Sequence, residues 1–329
     1  MKSFFQVKNL CYAYLKKPLC LKDVNFSAEK NDKVLLLGLD DKGKTTLLKT
    51  LSGFDDKYFG EVLLNGKEIR KIPDTEKNFS LIFDYPILLN GTIDLNLNYL
   101  FETIGKEVLL DKEKYNILKK FNLNYKLSDK IKKLSLFEKF KLCLLRVYIK
   151  SPKIIFIDDI LKINFSNEEF DELFEIIEMI SKDCLLIMCA GEKGFKNNSL
   201  FIEKFSWSKV LYLNNMKINE MKNLKEFYDN PIDLDALEFN EEFEIIEGYC
   251  VFQDAAYYIS INDEYVVKLD KSLHASLDKL KLANLENEDI VLAYKKGMKL
   301  DFSKNNDINE MLKRGEIIIF SKLDRSRIN

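Results

Sequence analysis

The stretch of sequence that decides the fold reads Gly38-Leu39-Asp40-Asp41-Lys42-Gly43-Lys44-Thr45-Thr46. It matches the pattern G-x4-G-K-[ST], in which a glycine-rich turn joins a buried strand to a helix. The context agrees, since an apolar run at residues 34–37 enters the turn and a helical pattern continues to about residue 51. The stretch therefore predicts a phosphate-binding loop. The alternative is an ordinary strand–turn–helix with a chance lysine.

Each part of this loop has a chemical role. Backbone N–H groups at a helix N-terminus point at phosphate oxygens, and the helix dipole favours their negative charge. Lys44 is predicted to supply positive charge to the β- and γ-phosphates, and the Thr45 hydroxyl to contact Mg²⁺. ATP with Mg²⁺ is thus the predicted ligand. The other loop residues expected to contact it are Gly38, Asp41, Lys42, Gly43 and Thr46.

Two acids inside the loop are unusual. Asp40 and Asp41 bring negative charge to a place where phosphate binds, and Lys42 offsets only part of it. Like charges a few ångströms apart repel each other. Tight nucleotide binding therefore predicts that both carboxylates turn outward.

A second acidic pair ends another buried strand. Residues 154–157 are apolar, and Asp158-Asp159 follow them. Asp158 is predicted to hold Mg²⁺ through water, and Asp159 to be the general base that orients the attacking water. The alternative is a strand that simply ends in a solvated acid pair.

Composition excludes several classes of protein. Of 329 residues, 47% are hydrophobic and 32% are charged, which is typical of a globular protein. Basic and acidic residues number 51 and 53, so no positive field predicts nucleic acid as a partner. No apolar run approaches the ~18–20 residues of a membrane span, and we find no secretion signal. We expect a cytoplasmic chain, so any membrane role must run through a partner.

The pattern along the chain predicts two domains. Near-continuous apolar strands alternate with helices in residues 1–222, which is typical of an α/β domain with a largely parallel sheet. Alternating strands open this domain, and residues 92–150 have a helical period. Short β-like stretches dominate residues 235–329, so we predict a small β-rich accessory or regulatory domain there.

The order of these motifs resembles that of ABC-type ATPases over residues 5–218. Tyr14 stands where that family places an aromatic residue that stacks on adenine. Asp84 takes the glutamine position of a segment similar to the Q-loop, Phe83-Asp84-Tyr85-Pro86-Ile87-Leu88-Leu89-Asn90-Gly91-Thr92-Ile93. The place of the LSGGQ signature is taken by Leu134-Ser135-Leu136-Phe137-Glu138. The resemblance implies a P-loop NTPase, with a RecA-like core and antiparallel β and α-helical subdomains.

The C-terminal part resembles the oligonucleotide-binding-like accessory domain of sugar-importer ATPases. Residues 226–231 look like the linker motif that follows their ATPase core, and residues 288–295 look like a late strand. The resemblance implies a small β-barrel-like domain. It also implies an importer for carbohydrate or a similar small solute, in which ATP-driven closure of an ATPase dimer is coupled to separate membrane subunits.

The departures from the family pattern concern hydrolysis. Asp159 replaces a glutamate and is one methylene shorter, which can misplace the water by about 1 Å and cost on the order of a hundredfold in rate. The histidine expected after residues 184–189 is replaced by Ala190 or Gly191, and His274 is the only histidine in the chain. The signature has lost both glycines, although Ser135 remains at a predicted helix N-terminus.

The resemblance also implies a partner ATPase. In this family one domain contributes the phosphate loop and acids, and the other contributes the signature, so Ser135 is expected to contact nucleotide in trans. Both contributions depart from the pattern here, and we expect ATP binding with slow hydrolysis. A heterodimer with an intact ATPase is favoured over a homodimer. The chain is expected to lie peripherally at the inner face of the cell membrane.

Other functions fit the same residues. One is a catalytically inert nucleotide-sensing or scaffold subunit paired with an intact ATPase. Another is an ABC ATPase of repair or translation, but those commonly carry paired cassettes or coiled-coil insertions, which this sequence lacks. Residues 86–93 look closer to exporter cassettes, whereas the separate chain and its C-terminal domain favour an importer.

Overall fold

The structure is a computed structural model that describes residues 3–240, 243–253, 256–261, 265–273 and 288–322. The chain separates into two units, Met1–Leu224 and Lys225–Asn329. His274 lies outside the described residues.

The helices and strands follow the chain in a mixed α/β order. The strands of the first unit are β1 (Phe5–Ala13), β2 (Leu19–Ala28), β3 (Lys33–Leu37), β4 (Phe59–Leu64), β5 (Lys67–Glu68), β6 (Phe79–Ile82), β7 (Ile154–Ile157), β8 (Leu185–Ala190), β9 (Lys209–Asn214) and β10 (Lys217–Met221). Its helices are α1 (Lys44–Leu51), α2 (Asp74–Lys77), α3 (Ile93–Thr103), α4 (Asp111–Lys120), α5 (Leu136–Lys150), α6 (Asn167–Ser181), α7 (Glu192–Asn197) and α8 (Ser199–Lys204). After these come α9 (Leu224–Asp229), α10 (Leu234–Leu237), β11 (Phe243–Gln253), β12 (Ala256–Ile261), β13 (Tyr265–Lys268), β14 (Glu288–Lys295), α11 (Asn305–Lys313) and β15 (Ile317–Ser321).

Six of the described strands form the central sheet of the first unit, in the order β10-β9-β3-β8-β7-β6. The pairs from β9 to β6 are parallel, and β10 folds back antiparallel at one edge. Strands β7 and β8 are buried along their whole length, as expected for a parallel sheet with both faces covered. The carboxyl ends of parallel strands share one edge, so the residues that follow β3, β7 and β8 meet there.

A second, antiparallel sheet has the strand order β2-β1-β4-β5. Strands β4 and β5 are joined at Asn65 and Gly66, whose φ angles are 51° and 78°. Positive φ at both central residues suits the right-handed twist of paired strands, which explains an Asn-Gly turn at this position. Phe5 of β1 packs edge-on against Phe79 and Phe156 of the central sheet, which gives the two sheets a common core.

Helices α3, α4 and α5 lie within residues 92–150, where the sequence predicts a helical subdomain. The Thr92 hydroxyl caps α3 by accepting the N–H of Leu95. Lys114 of α4 is buried, and its ammonium lies 2.7 Å from the Asp94 carboxylate of α3. Within the described ranges, every helix is too short or too polar to cross a membrane.

The second unit contains an antiparallel sheet in the order β13-β12-β11-β14-β15. Helix α11 packs on this sheet through Ile308 and Leu312, which share a core with Tyr257 and Ile319. The resemblance to sugar-importer ATPases implies a barrel-like domain, but the described strands form an open sheet with β13 and β15 at opposite edges. The reason is that alternating apolar residues predict strands with one buried face, and this pattern is the same in an open sheet and in a barrel.

Candidate nucleotide-binding site

The phosphate loop runs from the end of β3 to the start of α1. Gly38 is buried, and a Cβ at this position would lie 2.8 Å from the Leu213 carbonyl oxygen. Gly43 has φ 102°, a left-handed conformation that favours glycine. It gives α1 no side-chain cap, which leaves the N–H groups of the first helical turn for a bound anion.

The loop lysine, Lys44, is buried and contacts the backbone of the loop. The Lys44 ammonium donates hydrogen bonds to the carbonyl oxygens of Gly38 and Leu39 at 2.8 and 2.9 Å. The Asp40 carboxylate lies 3.7 Å from the same ammonium. The positive charge is therefore held inside the loop, where the lysine of this motif meets phosphate.

Thr45 and Asp158, the two predicted magnesium ligands, are neighbours. The Thr45 hydroxyl donates a hydrogen bond to Asp158 Oδ1 at 3.0 Å. Asp158 is buried after β7, and burial raises the pKa of its carboxyl, while the bond from Thr45 acts in the opposite direction. A hydroxyl and a carboxylate are the hard oxygen donors that Mg²⁺ prefers, so these residues fit that ion.

Asp159 has a buried and incompletely bonded carboxylate. Its side chain Oδ2 accepts the N–H of Gly191 at 3.1 Å, whereas Oδ1 is buried and has no hydrogen-bond partner in the described part of the chain. The pKa of Asp159 is raised to about 6, because burial disfavours its charged form more than the nearby Lys44 ammonium favours it. A buried oxygen without a partner is unusual in a folded protein and is common at functional sites.

The place of the expected histidine is taken by other groups. Strand β8 ends at Ala190, and Gly191 precedes α7. A Cβ on Gly191 would lie 2.2 Å from Asp40 Oδ1 and 2.8 Å from Asp159 Oδ2, so a side chain fits only if these groups move. The backbone of Gly191 is extended, with φ −85°, and any residue adopts it. The restriction therefore comes from the two carboxylates.

The two loop acids point in different directions. Asp41 is exposed, as expected, but Asp40 is half-buried. The N–H of Asp40 donates a hydrogen bond to Glu192 Oε2 at 2.9 Å, and its carboxylate faces Lys44. The prediction that both carboxylates turn outward is wrong for Asp40, because the lysine and the start of α7 hold it inward. Sequence reasoning missed Glu192, which lies 152 positions further along the chain.

Asp84, at the position of the expected glutamine, forms an ion pair with Lys162. This pair raises the pKa of the Lys162 ammonium, and the charges of Asp159 and Asp158 act in the same direction. Sequence reasoning did not include Lys162 among the site residues. The signal in the sequence was a lysine three residues after Asp159. The site thus contains a second fixed positive charge besides Lys44.

Tyr14 reaches the phosphate loop through Thr46. The Tyr14 hydroxyl lies 2.6 Å from Thr46 Oγ1, and the ring packs edge-on against Tyr12. The Tyr14 side chain is 46% exposed, so part of the ring is accessible to a ligand. Lys42 is also exposed. Stacking of Tyr14 on adenine stays a prediction.

Ser135 lies on another element, at the N-terminus of α5. Its hydroxyl accepts the N–H of Glu138 at 3.2 Å, and the Glu138 carboxylate accepts the N–H of Ser135 at 2.8 Å. The Tyr125 hydroxyl donates to the same carboxylate. A negative side chain therefore occupies this helix N-terminus, where the helix dipole would otherwise favour an external anion.

Comparison with known proteins agrees with this geometry. Residues 21–162 match the family model described as ABC transporter. The spermidine/putrescine import ATP-binding protein PotA of Clostridium novyi (strain NT) is 23% identical over 256 residues, which cover 76% of this chain and 71% of that protein. The phosphonates import ATP-binding protein PhnC of Lactobacillus acidophilus is 29% identical over 176 residues, or 48% and 67% of the two chains.

A solved structure of the ATP-binding subunit of an ABC transporter has the same fold. It aligns with a TM-score of 0.57 at 20% identity, over 68% of this chain and 92% of that one. The chain therefore contains an ABC transporter ATP-binding domain and is similar to the ATP-binding subunits of such transporters. The α/β P-loop fold predicted by the sequence is confirmed. The nucleotide roles of individual residues remain predictions.

Proposed function

We propose that this chain binds ATP with Mg²⁺ at its phosphate loop, hydrolyses it slowly and works as one ATPase subunit of an importer. The observation that carries the proposal is the group formed by Lys44, Thr45 and Asp158 beside the uncapped start of α1. An uncapped helix N-terminus, a buried ammonium and two hard oxygen donors are the parts needed to bind a nucleotide with its metal ion.

In this proposal the phosphates lie on the backbone N–H groups of residues 38–46. Lys44 contacts the terminal phosphates, Tyr14 stacks on the base, and Thr46 helps to hold the phosphate nearest the sugar. Thr45 and Asp158 hold Mg²⁺, which neutralises phosphate charge when it is bound. Asp84, at the Q-loop position, would contact the bound nucleotide and its Mg²⁺.

Slow hydrolysis follows from the position of Asp159. We propose that its unpartnered Oδ1 accepts a hydrogen bond from the attacking water. Its short side chain is also tied to the Gly191 N–H, which limits its reach toward the phosphate. A misplacement of about 1 Å costs on the order of a hundredfold in rate.

A second ATPase subunit would supply what this chain lacks. In the proposal Ser135 faces the nucleotide of that partner in trans. The Ser135 hydroxyl and the Glu138 carboxylate already bond each other's backbone, so this contact is expected to be weak. A heterodimer with an intact subunit therefore suits the chain better than a homodimer.

A groove supports docking of separate membrane subunits. It has a volume of about 530 Å³ and lies against β6, α3 and α5. Tyr85, Ile87 and Tyr99 line it and are each about half exposed. Arg146 also lines it, and its Nε is buried without a hydrogen-bond partner in the described residues. We propose that a short helix of a membrane subunit fills this groove, which would hold the chain at the inner face of the cell membrane.

The transported solute is proposed only as a class. PotA and PhnC are named for import of spermidine or putrescine and of phosphonates, and both support an importer. The sequence resemblance to sugar-importer ATPases supports a carbohydrate or another small polar solute. The open sheet of the second unit would serve as an accessory or regulatory domain.

Steady-state phosphate release by the purified chain tests the hydrolysis part of this proposal. We expect turnover roughly a hundredfold or more below that of an intact ABC ATPase measured in parallel. Asp159→Asn should remove the remaining activity, and Asp41→Asn is the matched control at an exposed acid. Turnover equal to that of the intact enzyme would contradict the proposal.

A second candidate is a catalytically inert nucleotide-sensing or scaffold subunit. The self-capped start of α5 favours this function, because its capping box leaves few hydrogen-bond donors for the nucleotide of a partner subunit. The two functions differ in the complex with a partner ATPase. Loss of complex activity in Asp159→Asn supports a hydrolysing subunit, and unchanged activity supports the scaffold.

A further inference from the structure

The carboxylate of Asp40 lies near Lys44 and Asp159, the two side chains that the proposed function assigns to the last phosphate of a bound nucleotide. It is 3.7 Å from the Lys44 ammonium, and a Cβ added to Gly191 would lie 2.2 Å from Asp40 Oδ1 and 2.8 Å from Asp159 Oδ2. The ammonium of this motif contacts the β- and γ-phosphates, and the proposed base Asp159 must face the γ-phosphate. Asp40 thus lies close to both side chains that would contact the γ-phosphate.

The inward position of Asp40 is supported by its backbone. The Asp40 N–H donates to Glu192 Oε2 at 2.9 Å, which ties the loop to the start of α7. Gly191 leaves room for the carboxylate, since any Cβ at residue 191 would overlap Asp40 Oδ1. Asp159 Oδ1 is buried beside this group and has no hydrogen-bond partner in the described ranges.

We propose that Asp40 is an internal competitor of the γ-phosphate, so the loop binds nucleoside diphosphates at least as tightly as triphosphates. This inference rests on the proposed nucleotide binding. A diphosphate needs only the N–H groups at the start of α1 and the Lys44 charge. A triphosphate must also displace the Asp40 carboxylate or place its own charge beside it, which like charges oppose.

The proposal has a functional consequence for the subunit. A site that keeps diphosphate after hydrolysis, or that takes diphosphate directly, stays occupied without turning over. Its occupancy would then follow the ratio of diphosphate to triphosphate around the protein. Such a site would act as a sensor of that ratio next to a working site.

Calorimetric titration with ADP and with ATP, each with Mg²⁺, tests the proposal. The proteins are the full wild-type chain, Asp40→Asn and Asp41→Asn. The two variants remove the same charge at adjacent positions of one loop, and Asp41 is exposed. Both side chains are partly or fully accessible to solvent, and equal thermal unfolding midpoints would show that folding is intact.

The expected result has three parts. The wild type binds ADP at least as tightly as ATP. Asp40→Asn strengthens ATP binding by about tenfold relative to ADP, because repulsion between nearby charges is removed. Asp41→Asn leaves the ratio within about threefold, because it keeps the backbone N–H that the proposed function assigns to residue 41 and because an exposed charge is screened by solvent.

Two results would overturn the proposal. One is a wild type that binds ATP at least tenfold more tightly than ADP, with the same ratio in Asp40→Asn. The other is an equal change of the ratio in both variants, which would assign the effect to total loop charge. Failure of all three proteins to bind either nucleotide would contradict the proposed function itself, and this inference with it.

Discussion

Two helix N-termini in the first unit differ in what they offer to an anion. Helix α1 follows Gly43, which has no capping side chain. Helix α5 follows Ser135, whose hydroxyl and the Glu138 carboxylate form a capping box. Both helices carry a partial positive charge at this end. In α5 that charge is already met by the chain's own carboxylate, whereas α1 leaves it open.

The two helix N-termini differ in their suitability for the proposed nucleotide contacts. The open helix has Lys44, Thr45 and Asp158 beside it, so it is suited to bind a nucleotide with Mg²⁺. In the self-capped helix α5, the chain's own side chains already satisfy N–H groups of the first turn, so it needs no bound anion. A helix N-terminus is therefore a phosphate site only where local side chains leave its N–H groups available.

After the loss of Lys44 itself, the largest expected effect is at the metal side of α1. Asp158→Asn should weaken binding of ATP with Mg²⁺ by roughly 10–100-fold, because groups that hold a metal through water have effects of this size. Calorimetry with and without Mg²⁺ measures it, and Asp41→Asn is the control. An equal loss for both variants would mean that Asp158 has no special role.

The contact between Gly191 and the two acids should give the next largest effect. Gly191→Ala should lower the free energy of unfolding by about 1–2 kcal/mol, because the new Cβ overlaps Asp40 and Asp159. The double variant with Asp40→Ala should recover part of this loss. Urea unfolding measures both. If the double variant shows only the sum of the two single effects, the carboxylate of Asp40 does not restrict residue 191.

At α5 the capping box itself can be removed. Glu138→Ala should cost about 1 kcal/mol of stability, as for other lost caps, while Glu138→Gln keeps the bond to the Ser135 N–H and should cost less. Neither change should alter ATP binding by the isolated chain. Urea midpoints and calorimetry check the two statements, and altered ATP affinity in either variant would contradict the separation of the two helices.

The smallest expected effect concerns Lys162. Lys162→Met removes the positive charge that pairs with Asp84 and lies near Asp158 and Asp159. We expect Mg²⁺ to become more important, with the ratio of ATP affinities with and without Mg²⁺ rising by about threefold. Lys42→Met, at an exposed loop position, should leave this ratio unchanged. A similar change in both variants would show only a general effect of charge.

The sequence predicts the central sheet and the phosphate loop because their signals are local. Buried parallel strands are continuous apolar runs, and the glycines and lysine of the loop have fixed spacing. The carboxyl ends of β3 and β7, on either side of β8, then bring Thr45 and Asp158 together. The capping box of α5 is local as well, since Ser135 and Glu138 are three residues apart.

The other features depend on contacts between distant parts of the chain. Asp40 turns inward because of Lys44 and because Glu192 holds its N–H, and neither the direction nor the partner can be read from the loop. The Lys162 pair with Asp84 joins loops after different strands. In the second unit, the same alternating pattern would suit an open sheet or a barrel. Only the pairing order of the described strands distinguishes the two architectures.

The most direct test of the account is the affinity of the purified chain for ATP with Mg²⁺. Calorimetry should be done on the wild type, Lys44→Ala and Lys42→Ala, which remove a buried and an exposed lysine of the same loop. We predict that the wild type and Lys42→Ala bind, and that Lys44→Ala loses binding. Equal binding by all three proteins, or none by the wild type, would contradict the claim that α1 presents a working phosphate site.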